Sequence, residues 1–304
     1  VLDGGKVLEG GRGQTPTLAV LVEREESIRN FKKEPYYMAH ILMDGLDAVT
    51  DRISRREQAE SIAAACESGT ATVVSVTKER KTIQPPKLYD LTTLQRDANR
   101  IFGFTAKQTL EYTQSLYEKK LVTYPRTDSQ YLSDDMEDTA GKVIEAVYEA
   151  LLFEKPSGAE PDMKRVLDSR KVTDHHAVIP TMEIAKADLS AVPEGERKIL
   201  SLVANRLLCA TGQKHEQETV KAEFDCNGSI FTVSGKSVIR NGWKDFEAAL
   251  RRSYKTAEEK EKEENTLPEL SEGMIFEGVK TSVTEHFTQP PKHFTEDSLL
   301  AAME

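Results

Sequence analysis

Cysteine is scarce in this sequence, and the three cysteines are too far apart to form a familiar motif. Cys66, Cys209 and Cys226 include no C-x-x-C pair within the 304 residues. A zinc ribbon needs such pairs, and a disulfide framework needs a dense and even set of cysteines. The sequence therefore argues against both and fits a reducing cytoplasm.

Long apolar runs are also absent. No stretch of about 18 consecutive apolar residues occurs, so no segment is predicted to cross a membrane as a helix. The first residues lack the charged-then-apolar pattern of a secretory signal. A hydrophobic fraction of 38% and a charged fraction of 30% are typical of a globular protein with a polar surface. The length predicts at least two domains.

Positive charge is in short supply. Lys and Arg number 41 against 51 Asp and Glu, which gives a formal net charge of −10. This sign disfavours a general nucleic-acid binder, because phosphates attract basic surfaces. A nucleic-acid site would have to be a local basic groove, or would draw on charge elsewhere in a longer protein. The acidic run at residues 258–264 is expected to be a solvated loop or a frayed helix end.

The predicted elements come in the order strands, helices, strands. Alternating and β-branched residues predict the strands, and apolar residues at helical spacing predict the helices. Strands are predicted at residues 36–43, 72–76, 219–224, 230–233 and 275–284, and helices at 16–31, 91–121, 133–153 and 197–210. Ser54 and Thr105 each begin a capping box. This order predicts an α+β, multidomain fold in which a helical domain interrupts a β-domain.

One short pattern occurs twice. Residues 84–89 and 289–294 share Q-P-P-K-x-aromatic, and each copy follows a predicted strand and precedes a predicted helical stretch. Consecutive prolines cannot donate backbone hydrogen bonds and hold the chain extended, so they end a strand at a fixed angle. Two interpretations stay open: independent strand terminators, or a matched pair of hinges where the chain leaves the β-domain.

The strongest candidate for chemistry is the segment T-Y-P-R-T-D-S at residues 123–129. If this segment is extended, Tyr124 and Arg126 project from the same face, because side chains alternate along a strand. A phenol beside a guanidinium suits attack on a phosphodiester, since the cation can hold the phosphate. Asp128 is predicted to orient Arg126. The alternative is a half-buried structural tyrosine beside a surface ion pair.

A second candidate is D-H-H-A-V-I-P-T at residues 174–181. Adjacent histidines in a strand point to opposite faces, so His175 and His176 are not expected to share a metal ion. One of them is expected to be a hydrogen-bond donor or proton carrier near a phosphate. The alternatives are a histidine that bonds only to backbone, and a metal-dependent phosphoesterase of the DHH class. That class needs earlier aspartates at D-x-D-like spacing, which this sequence lacks.

A third candidate precedes the first predicted helix, in G-R-G-Q-T-P-T at residues 11–17. Arg12 and Gln14 can grip a phosphate backbone together with the amides and the dipole of a helix N-terminus. A flexible entry loop is an equally good interpretation of this segment.

These three motifs, in this order, resemble those of type IA DNA topoisomerases, and of bacterial topoisomerase III in particular. Further matches are L-T-T-L-Q-R-D-A-N at residues 91–99, Gly242-Trp243, and P-P-K-H-F-T-E-D-S-L-L at residues 290–300. The resemblance covers the chain from about Gly11 onward. It implies transient cleavage of single-stranded DNA, passage of another strand, and religation without ATP.

The resemblance also implies a role for each candidate residue. Tyr124 would be the nucleophile that forms a 5′-phosphotyrosine, and Arg126 would hold and neutralise the scissile phosphate. His175 matches the family's histidine that forms a hydrogen bond near the cleavage site. The residues expected to contact the DNA are Arg12, Gln14, Asp128 and His176.

The implied architecture is a toroid in which a winged-helix-like domain carrying the tyrosine is inserted into a β-rich hinge domain. Residues 1–33 would begin a second, DNA-binding helical domain, and residues 289–304 would return to it. Residues 34–86 and 213–288 would form the hinge domain, and residues 87–212 the inserted domain. The expected partner is single-stranded DNA, with no membrane and no second subunit.

Two departures from the family pattern bear on activity. Glu9 replaces a small polar residue, and Gly10 and Gly13 replace aliphatic ones, so the first dozen residues are expected to be a junction or a displaced loop. The family's Toprim domain, whose acidic residues bind Mg²⁺, does not precede Val1. The sequence stops at Glu304, where the family continues into a helical segment. We therefore interpret the chain as an excised fragment that is inactive alone, and we expect it to bind no cofactor of its own.

Two hypotheses from other classes stay open. A non-catalytic helix-turn-helix module would use residues 91–121 to bind DNA, with Tyr124 structural. A DHH-type metal phosphoesterase would be built on residues 174–176. A catalytic tyrosine and arginine would converge on one basic recess, a DNA reader would expose a polar helix face, and a phosphoesterase would show clustered carboxylates.

Overall fold

The structure, a computed structural model, describes residues 14–151, 153–155, 160–254 and 267–303. Within these ranges a seven-stranded sheet and a group of helices each bury a hydrophobic core. The helices are α1 (Gln14–Arg29), α2 (Arg56–Cys66), α3 (Leu91–Phe102), α4 (Ala106–Glu118), α5 (Glu137–Leu151), α6 (Glu194–Thr211), α7 (Lys244–Tyr254) and α8 (Glu296–Met303). The strands are β1 (Pro35–Met43), β2 (Leu46–Val49), β3 (Thr70–Ile83), β4 (His215–Cys226), β5 (Ser229–Arg240), β6 (Ile275–Glu277) and β7 (Lys280–Phe287).

The sheet is antiparallel and curled. Its strands lie in the order β6-β3-β4-β5-β2-β1-β7, so β6 and β7 form opposite edges. Only residues 278 and 279 separate these two strands in the chain. One short segment therefore reaches both edges, which requires the sheet to curl until its edges approach each other. Gly278 makes this turn with a φ of 65°, and Val279 bonds to Gly69 beside the start of β3.

The curled sheet and α2 bury the smaller core. Phe224 of β4 lies opposite Phe231 of β5, and α2 contributes Ala63 and Cys66. Burial raises the pKa of the Cys66 thiol to about 12, so the thiol stays neutral and packs as an apolar group. Cys226 lies in the same core. These two cysteines are therefore part of the packing rather than of a reactive site.

The larger core belongs to the helices α3 to α7. α6 is buried along most of its length and forms the centre of this group. α7 follows β5 in the chain, yet it packs Phe246 and Leu250 into the helical core. The predicted boundary at residue 213 thus divides residues that pack together, and the domain limits stay a prediction. None of the described helices is long and apolar enough to cross a bilayer.

The two predicted capping boxes had opposite outcomes. The box at Thr105 is confirmed, since its hydroxyl accepts from the Gln108 amide at 3.1 Å and the Gln108 side chain accepts from the Thr105 amide at 3.0 Å. The box at Ser54 is wrong, because α2 begins one residue later and has no side-chain cap. Ile53 and Tyr37 exchange both backbone hydrogen bonds, which keeps the chain extended up to that point.

The α+β class and the predicted order of strands, helices and strands are confirmed. Both Q-P-P-K copies follow strands, β3 and β7, and each precedes a helix. The single strand predicted at residues 275–284 is wrong, since the turn at Gly278 divides it between two edges of the sheet. The sequence does not predict β2 or α7. β2 has only 4 residues, too few to distinguish an alternating pattern from chance.

The last segment of the chain lies against the first helix. Arg24 of α1 donates to the Lys292 carbonyl oxygen at 2.8 Å, and its guanidinium lies 4.0 Å from the centroid of the Phe294 ring. His293 Nδ1 lies 2.8 Å from the Glu25 carboxylate. Residues 292–294 therefore contact α1, and the assignment of residues 289–304 to the same domain as residues 1–33 stays a prediction.

α8 is tied to the helical group by polar contacts. The Arg96 guanidinium of α3 donates to Asp297 at 2.9 Å, and the Asp297 amide donates to Asn99 at 3.2 Å. The Glu296 carboxylate accepts from the Ala106 amide at the start of α4. α8 itself has no fully buried residue in the described range. The contact therefore depends on charge and hydrogen bonds more than on apolar packing.

Candidate active site

Two segments that the sequence singled out lie side by side. Residues 121–129 and 173–181 run antiparallel and are joined by a series of hydrogen bonds. At one end the Thr181 amide donates to the Leu121 carbonyl oxygen at 3.0 Å, next to a β-bridge between Val122 and Pro180. At the other end the Thr127 hydroxyl donates to the His175 carbonyl oxygen at 2.9 Å, and the Thr173 hydroxyl donates to Asp128 at 3.0 Å. Side chains that are far apart in sequence are thereby brought to one surface.

Thr123 fixes the residue that follows it. Its amide donates to the Ile179 carbonyl oxygen at 3.0 Å, and its hydroxyl accepts from the Ile179 amide at 3.0 Å. The same hydroxyl donates to the Ala177 carbonyl oxygen at 3.1 Å. Three hydrogen bonds therefore hold the backbone and side chain immediately before Tyr124.

The end of α4 sets the approach to this segment. Lys120 has a φ of 62°, and its amide bonds to the Tyr117 carbonyl oxygen at 2.8 Å, while the Leu121 amide bonds to the Leu116 carbonyl oxygen at 2.9 Å. These are the two bonds of a Schellman motif, in which glycine usually occupies the left-handed position. The Thr181 hydroxyl donates to the Lys120 carbonyl oxygen. The chain therefore turns sharply at the end of α4.

Tyr124 lies between two other aromatic rings. The centroid of its ring is 4.4 Å from that of His175, at an interplanar angle of 42°, and 5.4 Å from that of Tyr117, at 77°. The side chain is partly buried, and its hydroxyl bonds to no residue of the described ranges. The ring is thus held in place while the hydroxyl is available to a ligand.

Arg126 is exposed, and within the described part of the chain it forms no hydrogen bond or ion pair. Burial alternates around it, since Pro125 and Thr127 are buried while Arg126 and Asp128 are exposed. The expected alternation is therefore present, although the segment is not a regular strand. The chain bends at Pro125, whose carbonyl oxygen accepts from the Thr127 amide at 3.1 Å.

The predicted orientation of Arg126 by Asp128 is wrong. The Asp128 carboxylate accepts a hydrogen bond from the Thr173 hydroxyl at 3.0 Å and forms no ion pair with Arg126. Asp128 therefore joins the two segments to each other, and the guanidinium keeps its donors for another partner.

The two histidines have different surroundings. His175 is exposed, with its ring against Tyr124, and its ring nitrogens bond to no described residue. His176 is partly buried, and its Nδ1 lies 2.8 Å from the Ala177 carbonyl oxygen. Because a carbonyl oxygen only accepts, Nδ1 of His176 carries a proton. Of the pair, His175 is the residue whose ring packs on the tyrosine.

Comparison with known proteins identifies the family. The sequence profile of a DNA topoisomerase family matches residues 2–304. The chain belongs to this DNA topoisomerase family. It is 38% identical to DNA topoisomerase 3 of Bacillus licheniformis, 37% to that of Shouchella clausii and 36% to that of Bacillus subtilis, in each case over 98% of the chain. The resemblance to bacterial topoisomerase III is thereby confirmed.

A solved structure has a similar fold. The fold of full-length topoisomerase I from Thermotoga maritima matches 94% of the present chain, with a TM-score of 0.70 and a sequence identity of 22%. At this identity the likeness concerns the fold alone. The match covers 46% of the Thermotoga protein, and the chain spans 42% of the Bacillus licheniformis relative.

A buried ionic cluster lies beneath the paired segments of the topoisomerase chain. The hydroxyl of the buried Tyr89 donates to Asp97 at 2.7 Å, Arg206 contacts the same oxygen, and Arg100 donates to the other at 2.5 Å. Burial opposes ionisation of Asp97, but Arg206, Arg100 and the Tyr89 hydroxyl together hold its pKa below the usual range. Burial also raises the pKa of Tyr89 well above its ordinary value, so this phenol stays protonated and donates.

The backbone at Tyr89 and at the nearby Leu91 supports both candidate segments. The Tyr89 carbonyl oxygen accepts from the Val178 amide at 2.8 Å, and the Leu91 amide donates to the Thr127 carbonyl oxygen at 3.1 Å. Sequence reasoning missed these supporting residues. The available signal was Asp97, a carboxylate at helical spacing from the apolar residues of α3 that must find a partner when buried.

Some residues that the sequence predicts to contact DNA, and the acidic run, lie outside the part of the chain that the structure describes. Arg12, residues 9–13 and the acidic run at residues 258–264 lie outside the described residues. Gln14 begins α1, and its side chain also lies outside them.

Carboxylates do not cluster around the histidine pair. Across the described ranges, no group of three or more His, Cys, Asp and Glu side chains is placed to hold a metal ion. Residues 174–176 therefore lack the clustered ligands that the phosphoesterase hypothesis requires. The described residues do not form a Mg²⁺ site.

Proposed function

We propose that this chain carries the nucleophile of a type IA DNA topoisomerase and that Tyr124 attacks single-stranded DNA. One observation carries the proposal. The hydroxyl of Tyr124, the guanidinium of Arg126 and the imidazole of His175 belong to two bonded segments, and none of them has a partner among the described residues. Polar groups that are held in place but unpaired suit a site that binds an anionic ligand.

The proposed reaction is a transesterification. The Tyr124 hydroxyl oxygen attacks the phosphorus of a DNA phosphodiester, and the bond from that phosphorus to the 3′-oxygen of the upstream fragment breaks. The new phosphotyrosine bond joins the protein to the 5′ end of the downstream fragment. The phenol loses a proton and the departing 3′-oxygen gains one, so the step balances without a co-reactant. Arg126 holds the phosphate through paired N–H donors, and His175 donates a hydrogen bond beside it.

Resealing follows from the same chemistry. The phosphotyrosine keeps the energy of the broken phosphodiester, so the free 3′-hydroxyl attacks it in the reverse direction without ATP. Between cleavage and resealing, a second strand passes through the break. The proposed partners are single-stranded DNA and a Toprim domain of the same protein, which supplies the Mg²⁺ ligands, in a monomeric enzyme.

Strand passage requires the helical group to move relative to the sheet, and the two Q-P-P-K copies differ in their freedom to move. In the first copy, Pro85 is buried and Arg165 donates to Gln84 at 3.1 Å. In the second copy, Pro290 and Pro291 are exposed. We place the larger change of angle at the second copy, because its prolines are exposed to solvent whereas Pro85 of the first copy is packed in the interior.

A helix-turn-helix DNA reader is the second candidate. α3 and α4 are joined by the short turn at residues 103–105, which favours this reading. The outward face of α4 carries Glu111, which pairs with Lys107 at 3.8 Å, and Glu118, which accepts from Gln114 at 3.2 Å. Lys107 opposes the charge of Glu111, but Glu118 has no cation as a partner among the described residues and would repel the phosphates of a duplex, so the cleavage site is the better supported function.

Covalent capture tests the proposed cleavage. The 304-residue chain and a separately produced Toprim domain are incubated with a single-stranded oligonucleotide and then denatured. A 5′-phosphotyrosine retains the fragment downstream of the break, so a 3′-end label transfers to the protein and a 5′-end label does not. Tyr124→Phe is expected to abolish the adduct and to keep single-strand binding, because it removes the attacking oxygen and leaves the ring.

Tyr254→Phe is the matched control for this assay. Tyr254 of α7 is a partly exposed tyrosine whose hydroxyl donates to Ser201 at 2.9 Å, and the substitution removes the same atom. The yield of adduct is expected to stay unchanged. An adduct that survives in Tyr124→Phe, or a label that transfers from the 5′ end, would overturn the assignment.

A further inference from the structure

The ring of Tyr117 has no part in the chemistry proposed above. Tyr117 is 40% exposed on the last turn of α4, and within the described ranges its hydroxyl has no hydrogen-bond partner. Its ring meets that of Tyr124 edge-on at 5.4 Å. A large aromatic side chain left exposed beside a site is a candidate contact for the ligand of that site.

The Tyr117 ring is also held on a rigid base. The Schellman bonds of Lys120 and Leu121 fix the last turn of α4, and the neighbouring Leu116 is fully buried. A tyrosine has only two side-chain torsions to restrict on binding, so a ring on a fixed turn loses little entropy. Tyr117 is therefore arranged before any ligand arrives.

The charges around the aromatic row match a nucleic-acid strand. Lys120 precedes Tyr124 and Arg126 follows it, both are exposed, and the charged group of neither has a partner in the described part of the chain. Glu118, the acid next to the ring in sequence, bonds to the neutral side chain of Gln114 and keeps its charge, so the two cations outnumber it. Single-stranded nucleic acid presents flat bases and regularly spaced phosphates, which aromatic rings and cations bind together.

We propose that Tyr117 stacks on a nucleobase of the bound single strand, next to the phosphate that Tyr124 attacks. This inference rests on the proposed function, because Tyr124 marks the position of that phosphate. The row of Tyr117, Tyr124 and His175 then forms a stacking surface that sets which phosphate reaches the nucleophile. Every base has an aromatic face, so the contact tolerates any sequence.

A comparison of two strands tests the stacking contact. Variants are made in the Tyr124→Phe chain, which cannot cleave, and are titrated at low salt with a thymidine octamer and with an abasic octamer of the same charge. Tyr117→Leu is expected to weaken binding of the thymidine strand about tenfold, which corresponds to about 1.4 kcal/mol and to one base–aromatic stack. Binding of the abasic strand is expected to stay unchanged, and Tyr117→Phe is expected to retain the affinity for thymidine.

The abasic strand separates stacking from a general structural effect. If Tyr117→Leu weakens both strands equally, or weakens neither, the stacking role is refuted. A loss of thymidine binding in Tyr117→Phe would also refute it, because that variant keeps the ring. These titrations need no cleavage, so their outcome is independent of the covalent-capture assay. Failure of the stacking role and failure of the proposed nucleophile are therefore distinguishable.

Discussion

Lys120 and Gly242 both have left-handed backbone conformations, with φ of 62° and 57°, but only one of them is glycine. The Lys120 side chain is exposed, so its left-handed conformation destabilises the fold only through backbone strain, by about 1–2 kcal/mol. The strain lies in the turn that brings the chain to Tyr124, and strained residues persist where surrounding bonds over-determine them. Gly242 is different, because there the space for a side chain is missing.

Gly242→Ala is expected to lower the free energy of unfolding by about 3 kcal/mol, from backbone strain and overpacking together. A Cβ at this position would collide with the carbonyl oxygens of Gln213 and Lys214. Gly45→Ala is the matched control, since its φ is 81° but nothing lies within 4 Å of the added atom. The control is expected to cost about 1 kcal/mol. Urea midpoints measure both, and equal losses would contradict the collision.

At the scale of elements, local signals succeeded where local bonds decide the structure. Thr105 caps α4 as predicted because its partner is three residues away, whereas Ser54 fails because the neighbouring Ile53 is held by Tyr37 of another strand. The same limit applies to the candidate site. Each motif segment could be identified from its residues, but the bond from Thr127 to His175 spans 48 residues of sequence. No local pattern predicts such a pairing.

Tyr117 shows a different limit of sequence reasoning. It shares helical spacing with leucines of α4, which is typical of a core residue, yet it is exposed while Leu116 is buried. The packing of α4 against α6 decides which face is covered, and it places Leu116 rather than Tyr117 in the helical core. The exposure that makes Tyr117 a candidate contact therefore appears only in the folded chain.

Asp97→Asn is expected to destabilise the helical group and to make its free energy of unfolding depend less on pH in the acid range. The folded-state pKa of Asp97 lies below its ordinary value, which is about 4. Its contribution to stability is therefore complete above about pH 4 and is lost as the pH falls through the folded-state value. The variant lacks that contribution at every pH, and at pH 7 it leaves Arg206 without its carboxylate, at a cost of about 3–5 kcal/mol.

Urea unfolding at pH 7 and at pH 3 checks this expectation. Asp51→Asn serves as the control, because it removes one exposed carboxylate of the same type. The gap between wild type and Asp97→Asn is expected to narrow at pH 3, while the control follows the wild type at both values. A gap that stays constant would mean that the carboxylate charge of Asp97 does not stabilise the fold.

At the scale of the whole molecule, the net charge of −10 opposes DNA binding, and local cations must overcome it. We expect the chain to bind single-stranded DNA weakly, in preference to duplex, and to lose affinity as salt rises, because bound cations release counterions. Titrations of equal-length single and double strands between 50 and 200 mM salt, roughly the range over which such contacts weaken, measure this. Salt-independent binding, or tighter binding of the duplex, would contradict a local basic site.

The polypeptide by itself is expected not to relax supercoiled DNA, even with Mg²⁺ and an intact Tyr124. A phenol in water ionises only near pH 10, and a departing alkoxide needs a proton or a cation. Arg126 and His175 are the groups that the described residues place beside the nucleophile. They form one wall of a site, and under the proposed function an acidic, Mg²⁺-binding Toprim domain would form the other.

The measurement is a relaxation assay of the chain with and without a separately produced Toprim domain, with Tyr124→Phe as the control. Relaxation is expected only when both parts and the tyrosine hydroxyl are present. Only then is the site complete, so that it can transfer the protons and enclose the strand. Robust relaxation by the chain alone would show that Arg126 and His175 suffice. Relaxation by the Tyr124→Phe mixture would show that another residue breaks the DNA. If relaxation appears only when the Toprim domain is added, that domain supplies the acid–base groups that the chain lacks, because the chain's own groups are the same in both reactions.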